Sequence, residues 1–133
     1  MNDLAQVKAA ARKAGFERRK VAFDEQSGGA AGHLSALLAG YRGVPMSGYM
    51  PIRTEIDPLP TMAEAAAYGH VGVPVIVEVD HPLLFSRWEP DAEMKDGPFG
   101  ARIPVVDDFF EPEIMIVPLV AFDRDGGRLG YGG

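Results

Sequence analysis

The stretch EIMIVPLVAFD, residues 113–123, carries the strongest strand signal in the chain, and its reading decides the fold. It is apolar and β-branched over most of its length, the composition of a strand covered on both faces. It is predicted to be the most buried strand of a sheet. VGVPVIVEV (71–79) has the same character. Shorter strand candidates lie at VPMSGYMP (44–51), closed by Pro51, and at PLLFSRWEP (82–90).

Helical patterns lie between and before these runs. NDLAQVKAAARKAGFERRKVAFDEQ (2–26) is rich in Ala, Lys and Arg. It sets Leu4, Val7, Ala11 and Ala14 at helical spacing, with Asn2 or Asp3 available as N-cap. SGGAAG (27–32) breaks that pattern, either as a loose turn or as the start of a second helix through HLSALLAGYRG with Gly40 or Gly43 as its stop. Pro58 and Pro60 mark a turn. Thr61 and Glu64 then have capping-box spacing for a third helix, which Gly69 would end. GPFGARIP (97–104) reads as irregular. Strands alternating with helices across short turns predict an α/β domain with a mostly parallel sheet.

The 133 residues suffice for one domain with a core and are too few for two ordinary ones. With 47% hydrophobic and 24% charged residues the composition is globular, and 16 Gly and 11 Pro predict many tight turns. A net charge of −6 argues against a broad nucleic-acid or anionic-membrane surface. The absence of Cys excludes a disulfide framework and thiolate metal sites. No apolar run approaches the roughly 20 residues of a membrane span, and no signal-peptide core precedes the first helix. A cytoplasmic, acidic domain is expected.

Five of the last eight residues, Gly126 to Gly133, are glycine. At the carboxyl end of a sheet strand, glycines let backbone N–H groups wrap phosphate oxygens, and Arg128 would add a fixed charge. The same composition also suits a flexible tail. Asp123 and Asp125 are placed to hold a magnesium ion beside nucleotide phosphates. Lys8 and Arg12, four apart, form either a solvated basic stripe or a second clamp on that phosphate. Glu55 reads as turn solvation or as a carboxylate that orients a ligand by its N–H groups. Phe85, Trp88 and Phe99 read as core or as a slot for a flat heteroaromatic ligand. His33, His70 and His81 lack metal-ligand spacing, and no serine has a nucleophile-elbow context.

In order along the chain, Lys-x-x-x-Arg (8–12), YMPIRTEIDP, VPVI, PLLFSRWEP with GPFG, and IVPLVAFDRDGGRLGYGG resemble one family closely: the 5-formyltetrahydrofolate cyclo-ligases, also called methenyltetrahydrofolate synthetases. The similarity spans about residues 7 to 133, and the final block is its most specific part. The resemblance implies a three-layer α/β/α, Rossmann-like fold, related to the CoA-transferases, with a mostly parallel sheet. It implies ATP-dependent closure of 5-formyltetrahydrofolate to 5,10-methenyltetrahydrofolate. It implies that Lys8, Arg12, Arg128, Leu129, Gly130, Tyr131, Gly132 and Gly133 hold ATP, with Arg128 catalytic and Asp123 contacting magnesium. Met50, Glu55, Trp88 and Phe99 would bind the folate. Partners would be these small molecules, in a monomer or homodimer. Family members continue past Gly-Tyr-Gly with a further glycine step, aromatics, an Asp, and more helix and strand. A single cyclo-ligase domain over residues 1–133, lacking its C-terminal part, is therefore expected. A non-catalytic family member that binds folate or nucleotide is the alternative.

Overall fold

Helix α1 runs Asp3–Glu25, as the Ala-, Lys- and Arg-rich opening predicts, but the first of its apolar residues at helical spacing do not turn inward. Leu4 and Val7 are 67% and 64% exposed, while the one buried residue of the helix is Gly15. The half-buried residues around it are Arg12, Ala14, Phe16 and Arg19. The docked side is thus a stripe of two arginines, an aromatic ring and a glycine. The reason lies at Gly15, where a Cβ would stand 2.7 Å from Val120 Cγ1. Only a residue without a side chain lets the helix sit this close to the 118–122 segment.

The computed structural model describes residues 3–25, 30–78, 80–98 and 100–130. They fall into two compact units. One comprises Met1–Ser27, Arg53–Ile56 and Pro118–Gly133, and the other Gly28–Ile52 and Asp57–Val117. Each draws on segments far apart in sequence.

The second unit holds helix α2 (Ala30–Leu38), followed by a 3-10 turn Ala39–Tyr41, and strand β1 (Met46–Ser47). Helix α3 (Leu59–Ala66) and strands β2 (Val71–Val75), β3 (Leu84–Arg87), β4 (Met94–Asp96), β5 (Arg102–Pro104) and β6 (Ile114–Met115) follow. The main sheet has the order β3-β2-β1-β6. Strand β1 is parallel to both β2 (Met46↔Val71) and β6 (Met46↔Ile114), and β3 is antiparallel to β2 (Val73↔Ser86). The fold is α/β with a mixed sheet whose central pairings are parallel, as expected. Helices α2 and α3 pack together, and α3 lies against β2. Met46, Met62, Val71, Val73 and Trp88 form the buried core of this unit.

Strand β2 tolerates Pro74 because of its register. Trp88 N–H donates to the Val71 carbonyl and Gly48 N–H to the Gly72 carbonyl, so alternate rungs face β3 and β1. The missing N–H of Pro74 faces the β1 side, where β1 has already ended at Ser47.

Four expectations are corrected. Residues 113–123 are not one buried strand. β6 makes its last rung at Ile116 N–H to Ser47 O, with Met115 and Val117 exposed, and Pro118 has no N–H to continue the ladder. The chain then enters the first unit, where β7 (Ala121–Phe122) pairs antiparallel with β8 (Arg128–Leu129). Helix α3 starts at Leu59, not after Thr61. Asp57 Oδ1 accepts the Leu59 N–H, and Thr61 is buried inside the helix, its hydroxyl 2.9 Å from that of Ser35. The 97–104 stretch is not irregular, since β5 pairs with β4 across a turn closed by Gly97 N–H to Ala101 O. The strand predicted over 71–79 ends at Val75, and Val77 is exposed.

Two stability predictions follow from this packing. Gly→Ala inside a helix ordinarily stabilises by up to about 1 kcal/mol. Gly15→Ala is instead expected to destabilise by about 1–3 kcal/mol through overpacking on Val120. The urea midpoint should fall, and adding Val120→Ala should recover part of the loss; a midpoint that rises in the single variant refutes the close approach. Met62 is fully buried in the other unit. Met62→Ala should cost about 2–5 kcal/mol in the same assay.

Candidate functional site

The first unit gathers most of the residues singled out for phosphate chemistry. Strands β7 and β8 pair Ala121 with Leu129 and Phe122 with Arg128, and Val120 N–H donates to the Leu129 carbonyl. The connecting turn is organised by one carboxylate. Asp123 Oδ1 accepts the N–H of Asp125 at 2.9 Å and of Gly127 at 2.7 Å, while Asp123 N–H donates to the Gly127 carbonyl. Gly126 has φ +93°, a left-handed conformation that favours glycine. Part of the glycine-rich end is therefore a hairpin turn rather than a loop following a sheet strand.

Past that hairpin, Arg12 Nε donates to the Gly130 carbonyl at 3.1 Å, joining residues 118 apart. The basic stripe of α1 and the glycine-rich segment are thus in contact. Lys8 lies one turn before Arg12 and is exposed, and Arg128 is also exposed on β8. Leu129 and Gly130 are half-buried. Lys8, Arg12 and Arg128 thus share one unit with Gly126, Gly127 and Gly130, in a chain of net charge −6. Tyr131, Gly132 and Gly133 lie outside the described residues.

Glu55 belongs to the same unit, in the segment Arg53–Ile56, and is 5% exposed. Arg19, which does not stand out in the sequence, ties this segment to α1. Its Nε donates to Thr54 Oγ1 at 2.8 Å and its Nη1 to the Leu119 carbonyl at 3.4 Å. The guanidinium carbon sits 4.9 Å from the Phe16 ring centroid. The missed signal was the spacing itself, since Lys8, Arg12, Gly15, Phe16 and Arg19 recur on one helical face.

Met50 and Trp88 belong to the other unit. Trp88 is buried in its core and Met50 is half-buried against it. Phe99 lies outside the described residues. Among the described residues, no group of three His, Asp or Glu side chains is placed to hold a metal ion. Magnesium needs only one or two carboxylates when phosphate oxygens and water complete its shell. Asp123 fits that lesser role through Oδ2, because the turn hydrogen bonds above fall on Oδ1. Among the described residues no helix is long and apolar enough to cross a membrane.

Comparison with known proteins supplies a likeness of sequence and a likeness of fold. No family model matches the chain. A curated 5-formyltetrahydrofolate cyclo-ligase from Haemophilus influenzae is 45% identical over 58 residues, a stretch covering 40% of this chain and 31% of that protein. The match therefore spans less than a third of the relative's length. The NMR structure of Aquifex aeolicus 5,10-methenyltetrahydrofolate synthetase superposes with a TM-score of 0.76 at 24% identity, covering 96% of this chain and 68% of that one. The first is a likeness of sequence, the second a likeness of fold. Together they support the resemblance carried by the motifs, which is to the 5-formyltetrahydrofolate cyclo-ligase family.

Proposed function

We propose that the chain carries out, or forms part of an enzyme that carries out, the ATP-dependent conversion of 5-formyltetrahydrofolate to 5,10-methenyltetrahydrofolate in the cytoplasm. The observation that carries this reading is the hydrogen bond from Arg12 to the Gly130 carbonyl. It joins the two motifs, basic helix and glycine-rich end, that a phosphate site requires together.

In this reading the formyl oxygen attacks the γ-phosphorus of ATP, and ADP departs. The neighbouring folate nitrogen then attacks the activated carbon, and the oxygen leaves with phosphate as the ring closes. Phosphoryl transfer is governed by positioning and charge neutralisation rather than by a nucleophilic side chain. Lys8, Arg12 and the Leu129–Gly133 backbone would hold the nucleotide. Arg128 would neutralise charge on the transferring group. Glu55 would orient the folate by accepting its N–H groups, and the resemblance assigns Met50 to the folate as well. Trp88, buried in its own unit, and Phe99 complete the set taken from the resemblance. Magnesium, when bound with ATP, would supply further charge neutralisation, and Asp123 would be its protein contact.

The direct test mixes the protein with ATP–magnesium and 5-formyltetrahydrofolate and follows methenyl-folate absorbance. Product formation that requires ATP is expected. Arg128→Ala should lower kcat about 10²–10³-fold, the scale for loss of one charge-stabilising group. Absence of any product, with both ligands shown to bind, would favour the non-catalytic alternative.

Asp123 allows a finer test, because turn capping and metal contact separate chemically. Asp123→Asn keeps an oxygen for the Asp125 and Gly127 N–H groups but removes the charge. It should leave amide exchange in the turn near wild type while weakening magnesium dependence. Asp123→Ala should in addition speed exchange of those two amides about tenfold, the scale of one lost hydrogen bond. Equal exchange in both variants would remove Asp123 from the turn-organising role.

A further inference from the structure

Thr54 and Glu55 sit in a segment of four residues that belongs to the first unit although the chain on both sides belongs to the second. So short a piece has no secondary structure of its own to fix it. Arg53, which opens it, has φ +53°, a left-handed conformation that side-chain-bearing residues seldom adopt. Such a conformation persists where contacts from elsewhere over-determine it. One such contact comes from Arg19. Its Nε reaches Thr54 Oγ1 at 2.8 Å, and its guanidinium plane is steadied over Phe16 one turn earlier on α1. The same side chain reaches the Leu119 carbonyl at 3.4 Å, at the start of the segment that leads into β7.

We infer that Arg19 is a positioning residue for Glu55. By fixing Thr54 against α1 it presets the adjacent carboxylate for the N–H groups of the folate substrate, so that little ordering remains when the ligand binds. The inference rests on the functional reading above. It adds a residue outside the motif that carries the family resemblance, and it gives Thr54 a role through its hydroxyl. Arg19 contacts no reacting atom in this account. Its effect falls on recognition of the folate and not on the chemical step.

The test is calorimetric titration of 5-formyltetrahydrofolate and, separately, of ATP–magnesium into the wild type, Thr54→Val, Arg19→Gln, the double variant and Arg19→Lys. Arg18→Gln, an exposed neighbour on the same helix, serves as control. Thr54→Val is nearly isosteric, so its fold should survive even if Arg19→Gln loosens the helix; thermal unfolding checks both. Thr54→Val and Arg19→Gln should each weaken folate binding about tenfold, the scale of one charge-assisted hydrogen bond. The double variant should be no weaker than Arg19→Gln, Arg19→Lys should recover part of the affinity, and Arg18→Gln should match the wild type. Thr54→Val should leave ATP affinity unaltered and raise the KM for folate without lowering kcat. If the wild type forms product while Thr54→Val binds folate as tightly as it does, the positioning role fails and the functional reading stands. If the wild type neither binds nor converts 5-formyltetrahydrofolate, the functional reading fails and takes this inference with it.

Discussion

The first unit depends on the absence of a side chain at Gly15. Helix α1 leaves Leu4 and Val7 exposed, so apolar burial along its length contributes little to its docking. What it has instead is a place where its backbone meets Val120 at a distance no other residue allows. That approach brings Arg12 and Arg19, three before and four after, within reach of backbone carbonyls at Gly130 and Leu119. Each of these carbonyls lies in a stretch too short to hold itself. The unit is three weak pieces, a polar helix, a four-residue segment and a two-stranded hairpin, made mutually dependent by two guanidinium groups. A two-stranded hairpin alone is marginal in water, which is why these cross-links matter.

The second unit is built by the opposite logic. Its core is small but apolar, with Met62 entirely buried between the α3 helix and the sheet residues Met46, Val71 and Val73. Polar groups enter only where they have partners. Ser86, fully buried on β3, donates to the Val106 carbonyl and accepts the Asp108 N–H, so it fastens the 106–110 segment along the outer edge of β3. Phe110 N–H to Phe85 O and Arg87 N–H to Asp108 O extend the same edge. An otherwise open strand is thus covered by irregular chain, a common means of protecting a sheet edge.

These two logics explain what could be read from the sequence. The elements of the second unit were legible in kind, though not in their bounds: the α3 helix between Pro58 and Gly69, the β2 strand from its continuous apolar run, and the parallel pairing implied by their alternation. The α1 helix was legible by propensity, but its docked face was not, because apolar residues at helical spacing (Leu4, Val7) look inward on paper and are outward in fact. The β6–β7 run failed at Pro118. A strand signal reads composition, and composition does not register that the sheet stops and another unit begins. The β4–β5 hairpin was hidden by Gly97, Pro98 and Gly100, which announce a turn and mask the two strands it joins. Lys8, Arg12, Asp123 and the glycines stand out as candidates in the sequence because charge and glycine content are local. Arg19 does not, because its significance is a hydrogen bond to a residue 35 positions away.

Asp123 shows how structure and chemistry share one group. Its Oδ1 shapes the Asp123–Gly127 turn through two backbone N–H groups, and Gly126 is there because the turn needs a left-handed residue. A carboxylate held in this way has its orientation fixed before any cation arrives, and its remaining oxygen points from a preset position. The same turn sets where β8 begins and so where Arg128 emerges, two residues after Gly126. The orientation of Asp123 and the position of Arg128 are then not independent features of the glycine-rich end. Both are consequences of a single capped turn, and Arg12 anchors its far side to the helix through Gly130.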